Sequence, residues 1–210
     1  MVSRAYRSEL RQQQAAETRR RVVEAAVALF GRQGYRATTF AQLAKEAGVS
    51  VKTVQEHGPK SALLQAAVEL ISFGVEGETD FFATDVGQGM LRVSDPDQLA
   101  LLMGEAMAAI NAPSAGLWMT VATAAHGDEE LGAYHAQMLG QIRSQVDHVL
   151  RYVADRGWLR SDVPFDDLVE AACIITCVET YVRFVLQDGK SEADYQAFVS
   201  RTVRETILAV

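Results

Sequence analysis

The sequence predicts an all-α protein, and two observations carry that prediction. Apolar residues recur at helical spacing through nearly every segment, and no stretch shows the period-two alternation of a half-buried strand. Glycine, proline and small hydroxylated side chains stand where such helices would start and stop. With 210 residues, 49% of them hydrophobic, the chain is long enough for a small domain fused to a larger one.

The elements follow in order. From Glu17 to Gln33 the side chains of Val22, Ala26, Leu29 and Phe30 fall on one face, and Gly34 sits where a left-handed helix end belongs. Thr39-x-x-Gln42 has capping-box spacing ahead of Leu43 and Ala44, and Gly48 stops that second helix. Ser50 caps a third, short helix containing Val51, Thr53 and Val54 that ends at Gly58-Pro59. A fourth helix starts at Pro59 and runs to about Val75, with Gly74 and Gly77 weakening its far end. Thr84 to Ser94, rich in glycine and polar residues, reads as a loop.

Asp95-Pro96 opens a fifth helix reaching Ile110, and Pro113 opens a sixth through Leu117, Val121 and Ala124. Leu131, Tyr134, Met138, Ile142, Val146, Val149 and Val153 trace one face of a long seventh helix ended by Gly157. Phe165 to Leu186 forms an eighth that is apolar almost all round, and a last helix is capped by Ser191. A helix buried on two sides needs two partners. The inner residues Leu168, Ala172, Ile175 and Val182, with Phe198, Val199 and Val203 of the last helix, therefore suit either a four-helix interface between two copies or a larger core within one chain.

Charge is distributed unevenly. Through Lys60 there are eleven Lys/Arg against five acids, a balance of +6, whereas the whole chain carries -7, which leaves -13 for the remainder. A basic end on an acidic body suits a chain that brings one part to a polyanion. The first residues, with Arg4, Arg7 and Arg11, read as a flexible tail over 1–16, either a basic arm able to follow a phosphate backbone or a merely disordered end. They lack the apolar centre of a signal peptide, and no run of ~18 apolar residues exists to span a bilayer, so a cytoplasmic location and no membrane partner are expected.

The second and third helices, joined by a tight glycine turn, have helix-turn-helix proportions. Leu43, Val49 and Val54 bury the inner face. Thr38, Thr39, Gln42, Ser50, Lys52, Thr53, Gln55 and His57 remain outside. These are hydrogen-bonding types suited to phosphates and base edges, and Arg36 and Lys60 add phosphate-binding charge. Double-stranded DNA is the partner these residues point to.

Ala25-Ala26-x-x-Leu29-Phe30-x-x-x-Gly34-Tyr35-x-x-Thr38-Thr39, then Leu43-Ala44-x-x-Ala47-Gly48-Val49-Ser50, then Lys60-x-x-Leu63-Leu64 resembles the DNA-binding domain of the TetR family of bacterial transcriptional regulators. The resemblance covers residues 17 to 64. It implies a helix-turn-helix DNA-binding domain over 17–60 and a larger helical region over 61–210 for a ligand and for dimerisation. It also implies a homodimer, most simply a repressor of a palindromic operator that a small molecule releases. The chain departs from the family where an aromatic pair usually follows in the third helix: Gln55 and Gly58 stand there instead. Loss of that aromatic filling predicts altered DNA contact, and a sensing or protein-interaction dimer with weakened or lost DNA binding is the alternative.

For an effector, unidentified but expected to be partly apolar, the adaptable side chains are Met103, Met107, Trp118, Met119, Tyr134, Met138 and Tyr181, with His135 beside them. Each is equally at home in a core. Glu179 and Arg183 are spaced for an intrahelical ion pair, and Cys173 and Cys177 match no metal or redox spacing. No nucleophile elbow, metal spacing or phosphate-binding glycine loop is present, so neither an enzyme nor a cofactor or metal site is expected.

Overall fold

The computed structural model describes residues 4–73, 82 and 84–209, with backbone only for 4–11, 72 and 73. Helices α1 (Arg4–Ala37), α2 (Phe40–Ala47), α3 (Val51–Glu56) and α4 (Lys60–Phe73) are followed by α5 (Asp85–Met90), α6 (Pro96–Ala125) and α7 (Glu129–Asp155). After these come α8 (Phe165–Thr176), α9 (Val178–Tyr181), a π-helical segment (Val182–Gln187) and α10 (Glu192–Thr206). The only extended pairing among the described residues is an isolated bridge between Leu159 and Leu208. The predicted all-α class is the observed one.

The chain divides into two compact units, Met1–Gly77 with Gly116–Ala133 and Glu78–Ala115 with Tyr134–Val210. In the first, α1 packs on α2 and α4, and Val22, Val23, Ala26, Leu29 and Phe30 are closed off from solvent with Leu43, Val54, Leu63 and Leu64. Burying several branched and aromatic side chains at ~1.5–3 kcal/mol each is what holds these short helices in place. The second half of α6 joins this core, where the Thr120 hydroxyl donates to the carbonyl of Phe30 (3.2 Å). The Ser61 hydroxyl, at the buried start of α4, donates to the Glu130 carboxylate at 2.9 Å.

Four sequence expectations are corrected. Residues 4–16 are not a loose arm: the backbone is helical from Arg4, since Ala5 through Gln14 contains no helix breaker. The Thr84–Ser94 loop contains α5, nucleated by the Thr84 hydroxyl accepting from the Gly87 amide (3.1 Å) and pinned by Met90, which is buried. The fifth and sixth predicted helices are one, α6, with Pro113 inside it. The next side chain, Ser114, donates back to the carbonyls of Ile110 (2.8 Å) and Asn111 (3.3 Å), one turn earlier. The eighth predicted helix is broken at Cys177, which is extended (φ −66, ψ 156) between α8 and α9. Val75, Gly74 and Gly77, the expected end of the fourth helix, lie outside the described residues.

That break is held from across the second unit. Asn111, 2% exposed, donates from Nδ2 to the Thr176 carbonyl (3.1 Å), which the break frees, and to the Tyr195 hydroxyl (2.9 Å). Tyr195 is fully buried and takes the ring of Tyr181 edge-on at 5.0 Å and that of Phe184 at 6.1 Å. Burial pushes its phenol up from 10.0 to about 12. The folded value lies above the ordinary one, so the neutral phenol's contribution is complete below pH 10.0 and disappears as pH rises through about 12. Melting temperature measured across that alkaline window is expected to fall steeply in the native chain and less steeply in Tyr195→Phe, which keeps the ring and loses the ionisation.

Candidate nucleic-acid interface

The helix-turn-helix is built by caps. Thr39 (φ −112, ψ 156) accepts from the Gln42 amide while its own amide donates to Gln42 Oε1 at 2.8 Å, the reciprocal pair expected from the spacing. Gly48 ends α2 at φ 65, and Val49 donates back to the Ala44 carbonyl (3.0 Å). Ser50 then caps α3, its Oγ accepting from the Thr53 amide (3.0 Å) with the two hydroxyls 2.8 Å apart. Such caps are worth ~1 kcal/mol each and fix the direction in which a helix of only six residues leaves the turn.

Helix α1 clamps this motif with two arginines that sequence reading counted only as charge. Arg21 donates from Nη2 to the carbonyls of Ala47 and Gly48, holding the turn between α2 and α3. Arg19 donates from Nη1 to the His57 carbonyl (3.2 Å) at the far end of α3. The run Arg19-Arg20-Arg21 carried the signal, but nothing local shows which guanidinium turns to which carbonyl.

Beyond α3, His57 is helical (φ −84, ψ 0) and Gly58 adopts φ 121. This conformation favours glycine, so the missing aromatic position is occupied by a glycine that ends the helix early. A Cβ there would stand 3.4 Å from that of Ala62, ordinary contact distance.

The predicted DNA-facing residues separate into two groups. Thr39, Gln42, Ser50, Lys52 and Gln55 are exposed and Thr53 is half-buried. Three of them, Thr39, Gln42 and Ser50, are also the caps just described. Val54, fully buried, fixes which side of α3 points inward. Thr38 is corrected: only 1% exposed, it donates its hydroxyl to the Gly34 carbonyl (2.8 Å) and belongs to the core rather than the outer face.

Lys60 is half-buried and its ammonium is engaged, donating to the carbonyls of Tyr35 (2.8 Å) and Thr38 (3.1 Å) and lying 4.2 Å over the Tyr35 ring. Burial lowers its pKa, with Asp128 opposing the change. It ties the end of α1 to the start of α4. His57 is half-buried. Arg36 is exposed, with its guanidinium Nη2 only 2.9 Å from where a Cβ on Gly127 would stand, in the α6–α7 turn.

Among the proposed effector contacts, Trp118 (buried) and Met119 (38% exposed) belong to the first unit, and the other six belong to the second. Of those, Met107, Met138 and Tyr181 are buried, and Met103, Tyr134 and His135 are half-buried. Burial raises the pKa of Tyr181, and its hydroxyl's hydrogen bond to Glu192 Oε1 (3.0 Å) adds to the rise. Arg183 pairs with Asp188 at 3.0 Å.

The proposed dimer residues are corrected. Leu168, Ala172, Ile175, Val182, Val199 and Val203 are each at most 9% exposed within the single chain, and Phe198 is half-buried with its ring stacked 5.0 Å from Phe184. Helices α8 and α10 satisfy each other, so these side chains build the second unit's own core. Ile174 of α8 (60%) and Leu186 of the π-helical segment (61%) are large apolar side chains left exposed. Among the described residues no group of three His, Cys, Asp or Glu is placed to hold a metal ion, and no helix is long and apolar enough to cross a membrane.

Residues 22–67 match the family described as bacterial regulatory proteins, tetR family. No curated protein matches the chain. Several solved structures share its fold. A transcriptional regulator from Saccharomonospora viridis in complex with choline is 18% identical over 93% of this chain and 100% of that one, with a TM-score of 0.72. A TetR transcription regulator from Haloarcula marismortui is 17% identical over 92% and 100%, with a TM-score of 0.69. SmeT in its triclosan complex is 16% identical over 91% and 92%, with a TM-score of 0.70. At these identities the likeness is one of fold.

Proposed function

We propose that this chain, a transcriptional regulator of the tetR family by its N-terminal domain, is a non-enzymatic repressor that binds a palindromic operator as a homodimer and leaves it when a small molecule binds. The observation that carries the reading is the outer face of α3. Lys52 and Gln55 are exposed on a helix whose inner residue Val54 is buried and whose two ends are clamped by Arg21 and Arg19. A rigidly held short helix with donors on its outer side is what major-groove reading requires. Ile174 and Leu186, exposed on an acidic body, supply the apolar contact for the second copy.

Solved proteins of this fold hold choline and triclosan. An effector for this chain is accordingly a small molecule, bound by the helical region after α4 and coupled to DNA by its preference for one of two conformations. The work of such a protein lies in the cytoplasm, with the chromosome. The alternative, a sensing dimer without DNA binding, is favoured by Gln55 and Gly58, although Gly58 takes the positive-φ conformation that ends α3.

The test is a gel shift with DNA upstream of the chain's own gene against a scrambled duplex. Specific retardation of the first is expected, and equal affinity for both favours the alternative. If Gln55 reads a base, Gln55→Ala costs ~1–3 kcal/mol on the operator and little on scrambled DNA. An equal loss on both would assign Gln55 to phosphate.

A further inference from the structure

We infer that Glu56 is a base-reading residue: its carboxylate accepts a hydrogen bond from the exocyclic amine of a cytosine in the major groove, and so selects a C·G pair within each half-site. The inference rests on the DNA-binding reading above and goes beyond it in naming a residue and the base it selects.

Positions 52 and 56 each lie two residues from Val54, about 200° round an α-helix, so both side chains leave α3 opposite its buried side. Their exposures agree: the side chains of Lys52 and Glu56 are 86% and 63% exposed, with Nζ 3.9 Å from Oε1. When α3 enters a groove by its outer face, this pair meets the base edges.

An acid aimed at a polyanion weakens binding unless it finds a donor. The major groove offers carboxylates the cytosine N4 amine, whereas the adenine N6 amine has the N7 acceptor beside it. Lys52, one turn earlier, complements the same pair because lysine donates to guanine O6 and N7. The ion pair, at 3.9 Å, is longer than a hydrogen bond and is measured to Oε1, so the carboxylate keeps its accepting capacity. Glu56 is also the only acid in α3, so the sign of the charge marks one position along the helix.

The experiment selects preferred duplexes from a randomised pool with the full-length wild type, Glu56→Ala and Glu56→Gln, then titrates each protein on the selected and on scrambled duplexes. Both variants alter an exposed side chain, and unchanged melting temperature verifies folding. The wild type is expected to select a C·G position in each half-site. Its preference there, roughly 5- to 150-fold for one good base contact, disappears in Glu56→Ala while the other positions persist. Both variants bind scrambled duplex more tightly than the wild type, because the repelling charge is gone. If the wild type selects a site and Glu56→Ala selects the same one with the same ratios, the inference is overturned and DNA reading stands. If the wild type selects no sequence at all, the DNA-binding reading falls, and the role of Glu56 falls with it.

Discussion

Gly104→Ala is expected to lower the melting temperature of the second unit markedly, although alanine is the better helix former. A Cβ on Gly104 would lie 2.5 Å from the Gln196 carbonyl oxygen, 3.2 Å from its carbon and 3.3 Å from the Ser200 Cβ. Two of those three contacts are backbone, so rotating a flexible side chain cannot relieve them; α6 and α10 must move apart. Overpacking of this kind costs ~1–3 kcal/mol or more, against a gain of under about 1 kcal/mol from helix propensity. The neighbouring core residues Leu99, Tyr195, Val199 and Val203 are all buried and share the strain. Gly140→Ala, where a Cβ meets nothing within 4 Å, is the matched control and is expected to be neutral or slightly stabilising. Thermal unfolding of the two variants measures the difference, and equal melting temperatures would contradict the close packing of α6 on α10.

Lys60→Met is expected to destabilise the first unit by ~1–3 kcal/mol, because it leaves the carbonyls of Tyr35 and Thr38 without the donor they share. The same substitution distinguishes a clamp from a phosphate contact. Lys52→Ala, on the outer side of α3, should weaken DNA binding and lower the salt slope by roughly 1. Lys60→Met should leave the salt slope unchanged in whatever fraction stays folded. A slope that falls by the same amount in both would return Lys60 to the DNA surface. The clamp also bears on the end of α1: with Gly34 at φ 79 and Thr38 turned inward, Lys60 ties the Tyr35–Thr38 turn to α4.

The parts of this fold that were legible in the sequence are the ones that close locally. Thr39 with Gln42, Gly48, Ser50, Gly157 and Ser191 all have partners within a few residues, and each stands in the structure at its expected boundary. The parts that were not legible depend on residues far along the chain. Cys177 interrupts an apolar run that periodicity reads as one helix, and the freed Thr176 carbonyl is met by Asn111, which stands on α6. Pro113 looked like a helix start because proline is welcome there, and only the structure shows α6 running through it.

The interface residues failed for a related reason. Hydropathy shows that α8 is apolar on two sides but not whether the second partner is α10 of the same chain or another copy. In the motif, the exposed character of Lys52 and Gln55 followed from the burial of Val54. That of Thr38 did not, because its inward turn is set by Gly34.

The central claim, that α3 of two copies reads successive major grooves, is tested most directly by a nuclease footprint of the native protein on the DNA upstream of its gene. Two protected half-sites with centres ~34 Å apart are predicted, with protection lost when the Lys52 and Gln55 side chains are removed together. Protection of one half-site by a protein that sediments as a monomer, or no protection at all, would contradict it.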